Sequence, residues 1–196
     1  MDLTVAVATF GSTDWAELAA ERAVPSAQGV PVVTAHGTSL AAARNAALSE
    51  VKTEWVVFLD ADDQLEANYV DAMEAGTADL RAPAVRYVRN GSHPTPYVPR
   101  VAGHEHACEA ECLRDGNWLV IGTAVRAQML RDVGGWRDWP CYEDWDAFQR
   151  CWLAGATVEA IPEAVYRAHV RADSRNRAPA MADKNRVHHE IVAANL

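Results

Sequence analysis

The sequence predicts an α/β fold, a mixed and mostly parallel sheet flanked by helices. Three observations carry that prediction. Short Val/Ala-rich runs, "LTVAVATF", "VPVVTA" and "EWVVFLD", are apolar without alternation, as strands covered on both faces must be. Segments of Ala, Leu, Glu and Arg of helix length separate them. Gly11, Pro25 and Ser39 mark the junctions between the two kinds of segment.

In chain order, "LTVAVATF" is a first strand ending before Gly11. "STDWAELAAERAV" is a helix, with Ser12 or Thr13 as cap and Pro25 as its stop. "VPVVTA" is a second strand, "SLAAARNAALSEV" a helix opening at Ser39, and "EWVVFLD" a third strand. "EANYVDAMEAG" reads as a helix closed by Gly76. "PAVRYV" and "YVPRV" flank "RNGSHPTP", whose Asn-Gly pair and prolines mark a hairpin or loop. "NWLVIGTAV" reads as a strand, and "RAQMLRDVGG" as a helix with a glycine stop. "EDWDAFQRCWLAG" is a helix that sets Trp145, Phe148 and Trp152 on one core-facing stripe. "TVEAI" and "AVYRAHV" are short strands around Pro162, and the polar tail ends in a helix. Nothing resembling a linker or repeat divides the chain, so one domain over 1–196 is expected.

Composition excludes several classes. The net charge of −9, from 27 acids against 18 Lys and Arg, lacks the basic footprint of broad nucleic-acid binding. A phosphorylated ligand stays compatible, because a metal can supply local positive charge. No apolar run approaches the ~20 residues that span a bilayer. The start "MDLTVAVATF" has an acid where a signal peptide has a basic region, so no membrane anchor and a cytoplasmic location are expected. Four cysteines are too few for a disulfide scaffold.

The chemistry concentrates where the third strand ends, in Asp60, Asp62 and Asp63. In α/β sheets ligands bind beyond the carboxyl ends of strands. Extended backbone would turn Asp60 and Asp62 to the same side, half of a site for Mg²⁺ or Mn²⁺ completed by water and phosphate oxygens. The same acids also suit a polar turn that caps the next helix.

Further pieces follow in order: Ala43-Arg44-Asn45, Asp60-Ala61-Asp62-Asp63, Gly122-Thr123, Val133-Gly134-Gly135-Trp136, Glu143-Asp144 at a helix start, and His169 at a strand end. Together they resemble the inverting family 2 glycosyltransferases of the GT-A fold, over most of residues 3–175. The resemblance implies transfer of a sugar, in the manner of a hexosyltransferase, from a nucleotide-diphosphate sugar to an acceptor hydroxyl. It implies Asp144 as the base that takes the acceptor proton, with Glu143 in support. It implies Mn²⁺ or Mg²⁺ on Asp62, with Asp60 nearer the ribose and His169 completing the shell. Arg44 and Asn45 would lie at the nucleotide sugar, and Arg171 and Ser174 would clamp the diphosphate. The acidic strand end that reads the base in this family is missing, since "VVTAHGTSL" carries no acid there. Thr9, Phe10 and His36 are expected near the nucleoside instead. A base at a helix N-terminus should have its pKa pulled below the reference of about 3.9, with neighbouring acids opposing.

Two other functions compete. His104, His106, Cys108 and Cys112 in "HEHACEAEC" suit structural zinc in a binding module, although the Cys-x-x-Cys pair is absent. A nucleotide-sugar-binding protein without catalysis is the other, against which Asp144 stands.

Overall fold

The computed structural model describes residues 1–104, 107, 109–171 and 181–195. One seven-stranded sheet organises it, in the order β2-β1-β3-β6-β5-β7-β4. Its strands are β1 (Leu3–Phe10), β2 (Val32–Gly37), β3 (Trp55–Leu59), β4 (Gln64–Leu65), β5 (Leu80–Val88), β6 (Ala124–Arg126) and β7 (Val158–His169). β1 runs parallel to β2 and β3, and β5 parallel to β7. β6 is antiparallel to both β3 and β5, so β3 and β5 point the same way. The carboxyl ends of five strands therefore share one edge.

The helices are α1 (Asp14–Leu18), α2 (Val24–Ser26), α3 (Leu40–Glu50), α4 (Tyr69–Glu74), α5 (Ala127–Asp132), α6 (Glu143–Leu153) and α7 (Met181–Asn195). Ser39 caps α3 as expected, its hydroxyl accepting the Ala42 N–H at 3.3 Å. α6 buries Trp145 and Phe148, with Trp152 at the margin. Trp145 Nε1 and Gln149 Nε2 both donate to the Leu113 carbonyl, which fixes the 3-10 turn Ala110–Arg114 against α6.

Several boundaries differ from expectation. Pro25 does not stop the first helix, because Ala19–Ala23 adopt π-helical turns between α1 and α2 and Pro25 falls in the first turn of α2. "TVEAI" and "AVYRAHV" form one strand, not two. The register opposite Pro83 and Ala84 jumps from Ile161 to Val165, so Pro162 sits in a bulge. "YVPRV" contributes only a single bridge, Val85 to Tyr97, and "NWLVIGTAV" is strand only at its end. Leu119 and Ile121 are buried all the same, held by tertiary packing and not by a ladder.

Gly122 has no room for a side chain: a Cβ there would lie 2.1 Å from Tyr166 Cδ2. Tyr69 hydroxyl donates to the Gly122 carbonyl, so the Gly-Thr step is the floor on which Tyr166 rests. Among the described residues no helix is long and apolar enough to cross a membrane.

Candidate active site

The edge where β3 ends carries a dense group of charges. Residues Asp60–Asp63 form a turn closed by the Asp63 N–H on the Asp60 carbonyl at 3.0 Å. Being a turn and not extended chain, it sends the three carboxylates to different places. Asp60 Oδ1 accepts Arg44 Nη2 at 3.0 Å. Arg44, from α3, is only 2% exposed, and its Nη1 reaches Glu143 Oε1 at 3.0 Å. The guanidinium also lies 4.7 Å from the centre of the Trp136 ring. Burial opposes its charge, but Asp60, Glu143 and Asp144 outweigh that and hold its pKa above the ordinary value.

Asp63 turns inward and works as a clamp. Its Oδ2 accepts the Tyr166 hydroxyl and its Oδ1 the His169 backbone N–H, both at 2.7 Å, tying the turn to β7. Burial and its neighbours Asp60 and Asp62 push its pKa well up. Asp62 stays partly open. Burial and Asp60 raise its pKa, while its own backbone N–H, Arg171 and Arg22 pull the other way. Arg171 Nε approaches Asp62 Oδ2 at 4.0 Å and stacks over Trp15. Arg22 Nη1 donates to the Asp62 carbonyl at 3.0 Å.

The expected three-residue metal shell of Asp60, Asp62 and His169 does not come together. Asp60 is held by Arg44, and His169 Nε2 sits 3.1 Å from Gln64 Oε1. Among the described residues no three His, Cys, Asp or Glu converge around a point that could hold a metal. Burial, Arg22 and Arg167 lower the His169 pKa, so its imidazole is neutral at physiological pH.

Glu143 and Asp144 open α6 directly after Tyr142, which takes a left-handed conformation at φ 63°. That costs a bulky residue roughly 1–2 kcal/mol and turns the helix start sharply into the cleft. Trp145 N–H donates to Asp144 Oδ1 at 2.8 Å. The expected acidic pKa does not hold: burial and repulsion from Glu143 push Asp144 up to about 7, against Arg44 and that hydrogen bond. The helix terminus is outweighed because the carboxylate has lost water and gained an acidic neighbour.

At the other end of the edge, β1 and β2 align Thr9 with His36 and Phe10 with Gly37. Thr9 Oγ1 lies 3.0 Å from His36 Nδ1, so the residues expected near the nucleoside are brought together. Thr9 and His36 border a cavity of about 200 Å³ shared with Ala16 and Ala20, whereas Phe10 packs outside its lining, against Ala8, Leu40 and Ala43.

Asn45 is placed differently from expectation. Its Nδ2 donates to the Trp136 carbonyl and its Oδ1 accepts the Trp136 N–H, both at 2.8 Å. A Cβ on Gly135 would lie 2.4 Å from that Oδ1, which explains the second glycine of the pair at φ +68°. Asn45 thus fixes the loop that carries Trp136 beneath Arg44. Asn45→Ala should lower unfolding stability by about 2 kcal/mol, since two backbone groups lose their partner. Nucleotide affinity should stay within about twofold. Urea unfolding and calorimetry check this, and the reverse pattern would make Asn45 a ligand contact.

Sequence reasoning missed Arg22, Gln64 and Tyr166, and named Trp136 only as the end of the Val133-Gly134-Gly135 motif. Only Gln64 carried a local signal, being next to the aspartates. Ser174 lies outside the described residues, as do His106 and Cys108 of the zinc alternative. Of that cluster, Cys112 Sγ lies 3.3 Å from His104 Nδ1, and His104 Nε2 lies 3.8 Å from Asp115 Oδ2.

Comparison with known proteins bears on the family and the fold. The family described as glycosyl transferase family 2 matches residues 2–131. Among solved structures, S. aureus TarS 1-349 in complex with UDP-GlcNAc is similar at a TM-score of 0.69 and 16% identity, covering 100% of this chain and 66% of that one. S. aureus TarS 1-349 in complex with UDP is similar at 0.59 and 18%, covering 100% and 65%. The chain thus spans about two thirds of the TarS segment, and the shared fold is the expected GT-A arrangement. No curated protein matches the sequence.

Proposed function

Because the chain belongs to glycosyl transferase family 2, we propose that it moves a sugar from a nucleotide-diphosphate donor to an acceptor hydroxyl with inversion at the anomeric carbon. The observation that carries this reading is that Arg44 joins Glu143 at the start of α6 to Asp60, which sets Asp144 beside the Asp turn, where burial and Glu143 raise its carboxyl to about 7. A general base works best with a pKa near the operating pH. The similar TarS structures, with UDP-GlcNAc and UDP, support a nucleotide sugar as donor.

In this reading, the acceptor oxygen bonds the anomeric carbon as its proton passes to Asp144 and the bond to the diphosphate breaks. Glu143 does not take the proton; through Arg44 it ties the start of α6 to the Asp turn. Arg171 and Arg22 set positive charge beside Asp62, where the leaving diphosphate gathers negative charge. Thr9, Phe10 and His36 flank the nucleoside.

Mn²⁺ or Mg²⁺ fits the site through Asp62. Its carboxylate is partly open, 21% exposed, and crowded by negative charge from Asp60. Such hard cations often take one or two carboxylates and fill the remaining positions with water and phosphate oxygens. When bound, the cation acts as a Lewis acid toward the diphosphate.

Titration calorimetry with UDP and UDP-GlcNAc, with and without Mn²⁺, tests the reading. Wild type should bind more tightly with metal, and Asp62→Asn should lose that difference. Equal affinity in every titration would remove Asp62 from the donor site.

A further inference from the structure

Among the described residues, the large apolar side chains left exposed are Tyr87, Tyr97 and Leu153. Two of these form a pair: the Tyr87 and Tyr97 rings lie 5.9 Å apart and tilt by 39°, with 39% and 55% of each residue open to solvent. The backbone explains the pairing. Val85 and Tyr97 exchange both backbone hydrogen bonds, so their side chains share a face, and Tyr87 lies two residues along the same face of β5.

The register locates this pair. Val85 is level with Tyr166 of β7, and Tyr87 with Ala168, one residue before His169. Tyr166 is the residue whose hydroxyl holds Asp63. The tyrosines therefore stand at the same carboxyl edge as the aspartate turn. The sheet order sets them on the far side of β3 from β1 and β2, where Thr9 and His36 lie. Electrostatics agrees: after burial and Tyr97, the charges of Asp144 and Asp63 push the Tyr87 hydroxyl up.

Resting on the transferase reading above, we infer that Tyr87 and Tyr97 are a stacking platform for the acceptor, and that the acceptor is a saccharide. A sugar ring has an apolar face of C–H groups and a rim of hydroxyls. A tyrosine ring offers the matching negative π-face, and its hydroxyl a hydrogen bond to the rim. An acyl chain has no hydroxyl rim for the tyrosine hydroxyls to bond, and Leu153, the only exposed large aliphatic side chain among the described residues, closes the far end of α6. The cleft beside Tyr97, about 630 Å³ between Val98, Pro99 and Pro162, has the volume of a small-molecule site and leaves room for more than one sugar unit.

The test uses an array of immobilised mono- to tetrasaccharides of glucose, galactose, mannose and N-acetylglucosamine, probed with the labelled full chain in UDP and Mn²⁺. Wild type should bind a subset of these glycans. Tyr97→Ala should bind them about tenfold more weakly and Tyr97→Trp about as well as wild type, since Trp keeps both a π-face and an N–H donor. Because the Tyr97 backbone makes the bridge to Val85, the alanine variant keeps the fold, which its melting temperature verifies. The inference is overturned if wild type binds no glycan, if Tyr97→Ala binds equally, or if the tyrosines instead govern binding to phosphatidylglycerol vesicles. UDP calorimetry on the same samples separates the two readings. Glycan binding that depends on Tyr97 supports the platform even where UDP fails to bind, and UDP binding without glycan binding overturns the platform alone.

Discussion

Asp144→Asn should slow sugar transfer by about 10²–10⁴-fold while donor affinity stays within about twofold of wild type. The substitution keeps an oxygen to accept the Trp145 N–H, so the start of α6 survives. What it removes is the group that takes the acceptor proton. In wild type, turnover should rise with pH through about 7, because only the ionised carboxylate is a base. The variant should lose that step. A profile unchanged by the substitution would reduce Glu143-Asp144 to a helix start.

Stability supplies an independent reading of the same group. Its folded pKa lies above the unfolded one, so the folded state binds more protons between about 4 and 7. The contribution of Asp144 to stability is then present below the unfolded pKa and is lost as pH rises toward 7. Asn carries no charge to desolvate, so the variant should melt higher than wild type at neutral pH and lose that advantage at pH 4. Activity and stability would thus move in opposite directions, as expected where a half-buried charge exists for catalysis.

Arg44→Met should be the most destabilising single change at the site, by about 3 kcal/mol. It removes the cation between Asp60 and Glu143 and leaves carboxylates facing each other without a counter-ion. The loss falls mainly on Glu143, whose side chain is 11% exposed, because Asp60 at 41% can take up water. Combining Arg44→Met with Glu143→Gln should recover a large part of the stability, since the buried charge goes with its partner. Chemical denaturation of the four proteins measures this. A double variant no more stable than Arg44→Met would show that Arg44 acts through packing on Trp136 instead.

Much of the molecule is legible in its sequence. The unbroken apolar runs of β1 and β3, the Ser39 cap of α3 and the aromatic stripe of α6 are local patterns, set by side chains a few residues apart. They were enough for the sheet, and they put Asp60, Asp62 and Asp144 on strand and helix ends. What local pattern could not assign was the partner of each polar group. Asp60 and Asp63 differ by three positions, yet one faces the cleft and the other anchors β7. That choice is made by Arg44 and by Tyr166, the latter 103 residues from Asp63 in sequence. Asn45 turned from ligand contact to brace because Trp136, 91 residues away, presents a bare N–H and carbonyl to it. The rise of Asp144 to about 7 likewise depends on lost water and on how its near neighbour Glu143 is held by Arg44, 99 residues away. Secondary structure follows from neighbours along the chain. Whether a charge is solvated, paired or stripped of water follows only from what folding brings across the sheet.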